Sequence, residues 1–194
     1  MSLTQQAHKH ILANIQPGDI AIDATLGNGH DALFLARQVG IRGMVYGFDV
    51  QQKAIDSTAH RLQAHNMESQ TCLFNTGHEM MLTLIPEEHH GHVRAIMFNL
   101  GYLPGGDKSH TTLNTTTVTA LQMALQLLSP SGIISILAYT GHPGGYDEYV
   151  AVRDFIIHLP DDLYSCLQIP EKTIHNSPVL LVLQKHDLKT NIQS

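Results

Sequence analysis

Residues 23–32 have the sequence DATLGNGHDA, with two carboxylates around two closely spaced glycines. The preceding residues are apolar and strand-like, and ALFLAR after Asp31 has apolar residues at helical spacing. Glycines in a strand-to-helix turn let the backbone approach a ligand closely. The stretch therefore predicts a ligand-binding turn, whose candidate contact residues are Asp23, Thr25, Gly27, Asn28, Gly29 and Asp31.

Polar segments also follow the other predicted strands. They are DVQQ after the second strand, NTGHE after the third, NLGYLPGGDKSH after the fourth and YTGHPGGYDE after the fifth. The carboxyl ends of parallel strands lie at one edge of a sheet, where such folds bind ligands. The sequence therefore places function at this edge, with the further candidates Asp49, Gln51, Gly77, His78, Asn99, Tyr102 and His142.

Alternating elements must position these residues. The patterns predict helices over Leu3–Ile15, His30–Val39, Gln51–His65, His78–Leu84, Leu113–Leu128 and Tyr146–Leu159. They predict strands over Ile20–Ala24, Met44–Asp49, Thr71–Asn75, Val93–Asn99, Ile133–Tyr139, Asp162–Ile169 and Val179–Lys185. Alternation favours a parallel α/β sheet with helices on both faces, and the two final strands, joined without a long helix, favour an antiparallel pair.

This order is typical of the class I S-adenosylmethionine (SAM) methyltransferases. We therefore expect a Rossmann-like α/β fold, with a seven-stranded, mostly parallel sheet that has an antiparallel C-terminal strand. One domain is expected over residues 1–187, followed by a frayed tail over residues 188–194.

Composition limits the partners and the compartment. The chain has 194 residues, 43% of them hydrophobic, and a net charge of −6 with a pI near 6.1. No global basic field attracts nucleic acid, so RNA contacts must come from a local patch or from histidines. No hydrophobic run is long enough to span a bilayer. Cys72 and Cys166 lack metal-ligand spacing and are expected to be buried thiols in a reducing, cytoplasmic setting.

Two cofactors fit the glycine turn. Gly27–Ala32 matches the dinucleotide pattern G-x-G-x-x-A, and Asp49 ends the next strand about twenty residues on, as NAD binding requires. A carboxylate at Asp23 would repel a pyrophosphate and attract the sulfonium and ammonium of SAM. Asp23 also opens a D-x-G-x-G-x-G pattern in which Thr25 replaces the first glycine. SAM is favoured, with Asp49 either binding its ribose hydroxyls or capping the next helix.

The fourth strand end carries the expected chemistry. Residues 98–102, FNLGY, resemble the N-P-P-Y motif of amino-methyltransferases, with Leu100 and Gly101 in place of the prolines. That resemblance implies that the Asn99 oxygen accepts a hydrogen bond from the target amine, beside the cofactor, and that Tyr102 stacks on the substrate. The alternative is a simple strand-to-loop turn. After the third strand, Gly77 and His78 are expected beside the adenine, with His78 equally suited to cap its helix.

Five segments together resemble one small bacterial methyltransferase family, labelled rRNA methylase. They are DATLGNGHD, FDVQ, NLGYLPGGDK, TTLNTTT and YTGHPGG, and the similarity runs from about Thr4 to Lys185. The resemblance implies SAM as cofactor and tRNA, through its anticodon stem-loop, as substrate. The implied reaction methylates the aminomethyl group of a wobble uridine, giving 5-methylaminomethyl-2-thiouridine.

The resemblance also suggests roles around the substrate. The thiouridine ring is expected to stack on Tyr102 or Tyr139. His142 either accepts the departing proton or orders its loop. The candidates for phosphate contacts are Lys108, His110, Arg153 and Lys172, and solvated surface charge is the favoured interpretation for each taken singly.

Other functions stay open at this stage. The acidic pI is also compatible with a SAM methyltransferase of a small amine or a protein, and the glycine pattern with a NAD-binding dehydrogenase. The segment EEHHGH, residues 87–92, precedes the fourth strand and so lies opposite the predicted site. It lacks a partner motif, and we expect no metal there. A homodimer is compatible with the sequence.

Overall fold

Helices and strands alternate along most of the chain. A computed structural model describes residues 1–101, 114–170 and 177–187. Its strands are β1 Ile20–Asp23, β2 Met44–Phe48, β3 Thr71–Phe74, β4 Val93–Leu100, β5 Leu128–Ala138, β6 Tyr164–Ile169 and β7 Val179–Lys185. Its α-helices are α1 Leu3–Leu12, α2 His30–Val39, α3 Gln52–Gln63, α4 Met81–Leu84, α5 Asn114–Leu127 and α6 Gly145–Ile157. Short 3₁₀ turns lie at Glu68–Gln70, His78–Met80 and Glu87–His89.

The strands of the described residues form one seven-stranded sheet in the order β3-β2-β1-β4-β5-β7-β6. The ladders among β1 to β5 are parallel, and β7 is antiparallel to both β5 and β6. The predicted fold class and the antiparallel terminal pair are confirmed. The chain order reverses between β1 and β4, so these two strands form the switch point at which such sheets bind ligands.

Side chains alternate between two apolar layers. On β4, Ala95 and Met97 belong to a layer that contains Ala7 of α1 and Leu35 of α2. Their neighbours on the strand, Ile96, Phe98 and Leu100, pack in the opposite layer with α5 and α6. Because strand side chains alternate with a period of two, Asn99 projects to the face of Ala95 and Met97. Asp23 follows the same rule on β1, two residues after Ala21 of the α1/α2 layer.

Every predicted boundary except the start of β5 lies within three residues of the structure. Helix α1 ends at Leu12 rather than Ile15, because the Asn14 side chain donates to the His10 carbonyl at 2.9 Å. In a longer helix the His10 carbonyl would accept from the backbone N–H of Asn14 instead. Strand β5 begins at Leu128 rather than Ile133, since Leu128 pairs with Val93 before an irregular step that includes Ser131 at a φ of 56°.

Three predictions concern features outside the core. Cys72 is half-buried and Cys166 is exposed, so the prediction that both thiols are buried is wrong. Cys166 lies on β6, an edge strand of the sheet, in which residues 165–167 are all exposed. Among the described residues, no helix is long and apolar enough to cross a membrane. The division into one domain and a frayed tail stays a prediction, since residues 188–194 lie outside the described residues.

Gly29 offers a test of how α2 docks. It caps α2 at a φ of 74°, and a Cβ there would lie 2.8 Å from the Thr58 Cα of α3. Gly144 caps α6 at a φ of 80° with no described atom within 4 Å of a built Cβ. We expect Gly144→Ala to cost about 1–2 kcal/mol for the left-handed backbone, and Gly29→Ala to cost about 1–3 kcal/mol more through the clash.

Denaturant unfolding of both variants measures this difference. Equal losses of unfolding free energy in the two variants would show that the close approach of α2 to α3 is not a constraint on folding.

Candidate functional site

Asp23, the last residue of β1, is a fully buried carboxylic acid. Its Oδ1 accepts from the Thr25 backbone N–H at 3.2 Å. Its Oδ2 is buried and has no hydrogen-bond partner among the described residues. A buried oxygen without a donor is costly. The position therefore suits a ligand that brings a positive or hydrogen-donating group.

The electrostatics of Asp23 agree with that geometry. Burial raises the pKa of the Asp23 carboxyl well above its ordinary value, and the negative charge of Asp31 raises it further. Backbone N–H groups of Thr25 and Ala32 act in the opposite direction. A cation placed at this acid would favour its ionised form and so offset the desolvation.

Thr25 connects the glycine turn to β4. Its Oγ1 accepts from the Asn99 backbone N–H at 2.7 Å. The Ala24 backbone N–H donates to the Met97 carbonyl at 2.8 Å, continuing the pairing of the two strands. The side chain that replaces the first glycine of the pattern therefore fixes the end of β1 against the end of β4.

Asp49 follows β2 and bridges two backbone segments. Its Oδ2 accepts from the Gly27 N–H at 3.0 Å and its Oδ1 from the Gln51 N–H at 2.9 Å. The same carboxylate thus holds the glycine turn and the start of α3. Next in the turn, the Asn28 carbonyl accepts from Arg61 Nε of α3 at 2.6 Å. Predicted residues Gly27, Asn28, Asp49 and Gln51 are therefore neighbours.

Asn99 and Asp31 meet across the switch point. Asn99 Nδ2 donates to Asp31 Oδ2 at 2.7 Å. His8 Nε2 of α1 lies 2.6 Å from Asp31 Oδ1. No described residue donates to the side-chain oxygen of Asn99, which therefore keeps its capacity to accept a hydrogen bond. We call His8, Asp31 and Asn99 the Asp31 network.

Tyr139 and His142 flank Gly101 after β4. A Cβ built on Gly101 would lie 3.5 Å from Tyr139 Cδ2 and 3.7 Å from His142 Nε2. Burial raises the pKa of the Tyr139 hydroxyl, a hydrogen bond with the Thr4 side chain lowers it, and the charge of Asp31 raises it. His142 Nδ1 lies 3.0 Å from the Pro143 carbonyl. The structure thus brings the predicted His142 beside Gly101, two residues after Asn99.

His78 packs under the end of β1, against the Ala24 carbonyl and the Phe98 ring. It is 6% exposed, its Nδ1 donates to the Ala24 carbonyl at 3.2 Å, and its ring packs edge-on against Phe98 at 5.7 Å. Burial lowers the pKa of the His78 imidazole, while the Ala24 carbonyl and Glu79 act in the opposite direction. Gly77, not His78, caps the turn, and a Cβ on Gly77 would clash with the Glu79 carboxylate. The His78 ring therefore supports β1 from the α5/α6 face.

Sequence reasoning missed two residues of α1. Thr4 and His8 are four apart, so they share one face of the helix, and that spacing was the available signal. Their role depends on where α1 packs, against β5 and β7, which no local pattern specifies. Predicted residues Tyr102, Lys108, His110 and Lys172 lie outside the described residues. Arg153 pairs with its neighbour Asp154 at 2.8 Å.

The histidine-rich segment before β4 has local partners. His89 Nδ1 lies 2.7 Å from the Tyr46 hydroxyl, and His90 Nε2 lies 3.0 Å from the Ile85 carbonyl. In the described ranges, no three His, Cys, Asp or Glu side chains are grouped so as to hold a metal ion.

The strand order and the polar groups at its switch point define a class I SAM-dependent methyltransferase. A family model described as "Putative rRNA methylase" matches residues 45–185, and the chain belongs to that family.

Named relatives are consistent with this family. A tRNA (mnm(5)s(2)U34)-methyltransferase, chloroplastic, of Arabidopsis thaliana is 41% identical over 192 residues, covering 95% of this chain and 69% of the relative. The crystal structure of a "putative rRNA-methylase" from Clostridium thermocellum is 36% identical with a TM-score of 0.87, covering 94% of this chain and 96% of that one. A "putative methyltransferase" from Streptococcus mutans, solved in complex with SAH, is 32% identical with a TM-score of 0.84, covering 95% and 98% of the two chains.

The raised pKa of Asp23 predicts a particular pH dependence of stability. A carboxyl whose pKa is raised on folding contributes stability below its unfolded value of about 3.9, and that contribution is lost as the pH rises through the folded value. Relative to Asp23→Asn, which cannot ionise, the ligand-free wild type should therefore lose stability from about pH 4 upward.

Melting temperatures of the two proteins across pH 4–8 measure this effect. Asp56→Asn, a change at an exposed acid that accepts from Gln52, is the matched control and should follow the wild type. Parallel curves for wild type and Asp23→Asn would contradict the burial of an ionisable acid.

Proposed function

We propose that this protein transfers the methyl group of SAM to the aminomethyl nitrogen of wobble 5-aminomethyl-2-thiouridine in tRNA. The observation that carries the proposal is the orientation of Asn99, whose amide nitrogen is bound by Asp31 and whose oxygen is left to accept from an amine. The name of the Arabidopsis relative, a tRNA (mnm(5)s(2)U34)-methyltransferase, supports the substrate.

The residues of the β1 edge fit SAM. The unpartnered Asp23 Oδ2 would lie toward its cationic methionyl end, where the attraction to an ammonium or sulfonium offsets the burial of the acid. Asp49 has about four lone-pair sites, and two backbone donors occupy two of them. The remaining sites would accept from the ribose hydroxyls. Thr25, Gly27, Asn28, Gly29, Gln51, Gly77 and His78 complete the proposed cofactor side. Asp31 lies beside the glycine turn, with both oxygens engaged by Asn99 and His8.

At Asn99 the chain would orient the acceptor. The Asn99 oxygen holds an amine N–H, so that the nitrogen lone pair faces the methyl carbon. Bound SAM would supply an activated methyl group, whose bond to sulfur breaks with its electron pair staying on sulfur as the new N–C bond forms. Alignment then supplies most of the rate. The amine loses one proton overall, and His142, beside Gly101, is the proposed acceptor.

RNA would meet the same edge. Tyr139 is 43% exposed beside Gly101, and with Tyr102 it is a proposed stacking platform for the thiouridine ring. The anticodon stem-loop is the proposed docking element, with Lys108, His110, Arg153 and Lys172 as phosphate contacts. At Arg153, a phosphate would compete with Asp154. A cytoplasmic setting and a homodimer belong to the same hypothesis.

Asp49 tests the cofactor assignment. Asp49→Ala should weaken SAM binding more than about tenfold, roughly 1.4 kcal/mol, because two ribose hydrogen bonds are lost. Asp49→Asn, which keeps one acceptor oxygen, should lose less. Calorimetric titrations with SAM and separately with NAD measure both affinities, and we expect NAD not to bind.

The melting temperature of each variant controls for loosening of the Gly27 turn, and Asp56→Ala is the matched surface change. Unchanged SAM affinity in a folded Asp49→Ala protein would place the cofactor elsewhere.

Methyl transfer into tRNA tests the substrate. Wild-type protein with labelled SAM should methylate bulk tRNA that carries the aminomethyl group, and not tRNA that lacks it. Asn99→Ala should lower the single-turnover rate by roughly 30- to 1000-fold, about 2–4 kcal/mol, because one aligned hydrogen bond is lost in a water-poor site. Its SAM affinity should stay close to that of the wild type.

The contrary outcomes separate the alternatives. Equal transfer into both tRNA pools would exclude the aminomethyl group as acceptor, and no transfer into either would favour a small amine or a protein substrate. Parallel losses of melting temperature, SAM affinity and rate in Asn99→Ala would mean that Asn99 only ties its loop to the strand.

A further inference from the structure

The Asp31 carboxylate is engaged on both oxygens. Oδ2 accepts from Asn99 Nδ2 at 2.7 Å, and Oδ1 faces His8 Nε2 at 2.6 Å. Asp31 is 7% exposed and lies in the first turn of α2, whose N-terminus favours a negative charge. Three separate elements, α1, α2 and β4, therefore meet at one acid.

This arrangement decides which end of the Asn99 amide faces Asp31 and which end points away from it. An ionised carboxylate can only accept hydrogen bonds, whereas an amide has a donor end and an acceptor end. Rotating the amide of Asn99 by half a turn would set its oxygen against Asp31 Oδ2 and leave the buried acid with one donor fewer. Asp31 therefore selects the rotamer in which the Asn99 oxygen points away from it.

His8 holds Asp31 in turn. The His8 ring stacks on Phe34 of α2, with centroids 3.8 Å apart and an interplanar angle of 4°. The stacked ring directs Nε2 at Asp31 Oδ1, so the carboxylate is fixed from the side opposite Asn99. Charge-assisted hydrogen bonds of this length are among the stronger ones in proteins.

We propose that Asp31, braced by His8, is a positioning residue that fixes the side-chain oxygen of Asn99 toward the acceptor amine. The proposal rests on the proposed amine methylation. Asp31 would act through Asn99, without touching the reacting atoms. An asparagine alone would present oxygen or nitrogen to the amine with little preference. Only the oxygen can accept an N–H of the amine, which leaves the lone pair of the amine nitrogen free to attack.

An exchange of the two side-chain types is the test. Asn99→Asp alone places two carboxylates in contact. In Asp31→Asn alone, residue 31 can both donate and accept, so it no longer fixes which end of the Asn99 amide faces it. In the double variant Asp31→Asn/Asn99→Asp, the amide at position 31 donates to one oxygen of the carboxylate at position 99. The direction of the hydrogen bond is reversed, and the second oxygen at position 99 can accept from the amine. Asp31→Ala removes the contact, and Asp56→Ala, at an exposed acid bonded to Gln52, is the matched control.

Single-turnover methyl transfer, SAM affinity and melting temperature are measured for each variant. We expect Asp31→Ala to lower the rate at least about tenfold with SAM affinity changed less than about threefold. The double variant should be faster than either single variant, and Asp56→Ala should equal the wild type. A wild-type rate in Asp31→Ala, a parallel loss of SAM affinity, or a double variant no faster than the singles would overturn the positioning role.

A second measurement needs no substrate. Side-chain amide exchange of Asn99, followed by NMR, should be slow in the wild type and fast in Asp31→Ala or, if that variant does not fold, in Asp31→Leu, which also lacks an acceptor oxygen. Equal exchange rates would overturn the proposal whatever the activity. A wild-type protein that methylates no aminomethyl RNA, yet shows the exchange difference, would overturn the proposed function and leave the Asp31 contact standing.

Discussion

The alternation of side chains along β1, β4 and β5 is the constraint on which the candidate site depends. Residues Ala21, Met97 and Leu137 are buried in the layer formed with α1 and α2. Each is followed two positions later by Asp23, Asn99 or Tyr139, which alternation directs toward the same layer. Three polar side chains therefore converge beside α1 and α2, whose other buried positions carry apolar residues.

Bringing Asp23, Asp31 and Asp49 close together is electrostatically unfavourable, and the hydrogen bonds of the fold offset this only in part. Asp31 receives donors from His8 and Asn99, and Asp49 receives two backbone N–H groups. Asp23 keeps one buried oxygen without a donor among the described residues, and the charge of Asp31 adds to its raised pKa. A site that binds a cation is expected to lower the stability of the folded protein until the ligand binds. The carboxylates that attract the ligand also repel one another.

Much of the fold could be predicted because local signals agreed with the final packing. The helix His30–Val39 and the strand Val179–Lys185 have the predicted bounds, since Gly29 and Gly40 flank the helix, Pro178 precedes the strand and apolar spacing fills both. The start of β5 could not be predicted, because Leu128 continues the helical pattern and joins the sheet only through pairing with Val93. The exposure of Cys166 follows from the edge position of β6, which depends on the order of distant strands.

Much of the site could be predicted as well, because strand ends of a parallel sheet must meet. Residues Gly27, Asp49 and Asn99 were recognisable from type and place alone. The contribution of α1 was not, since Thr4 and His8 are ordinary surface residues in the sequence and gain a role only where α1 packs against β5 and β7. The sequence allowed His78 to cap its helix, but the capping position is held by Gly77, which has no side chain to donate or accept. The His78 imidazole lies in the core instead, where it donates to the Ala24 carbonyl.

Asp49 does not cap α3, because Gln51 is the N-cap residue and no side chain caps the helix. The Asp49 carboxylate instead accepts from the Gly27 and Gln51 N–H groups, and those two bonds hold the plane of the carboxylate. A carboxylate held in this way presents its remaining lone pairs in one fixed direction, so a diol would bind without first ordering the side chain. Thr25 acts similarly on the other side of the turn, where its hydroxyl accepts the Asn99 N–H and so sets the distance between the proposed cofactor and the amine acceptor. A glycine at position 25 would leave that distance to the backbone alone, and the departure from the glycine pattern is therefore consistent with a more rigid site.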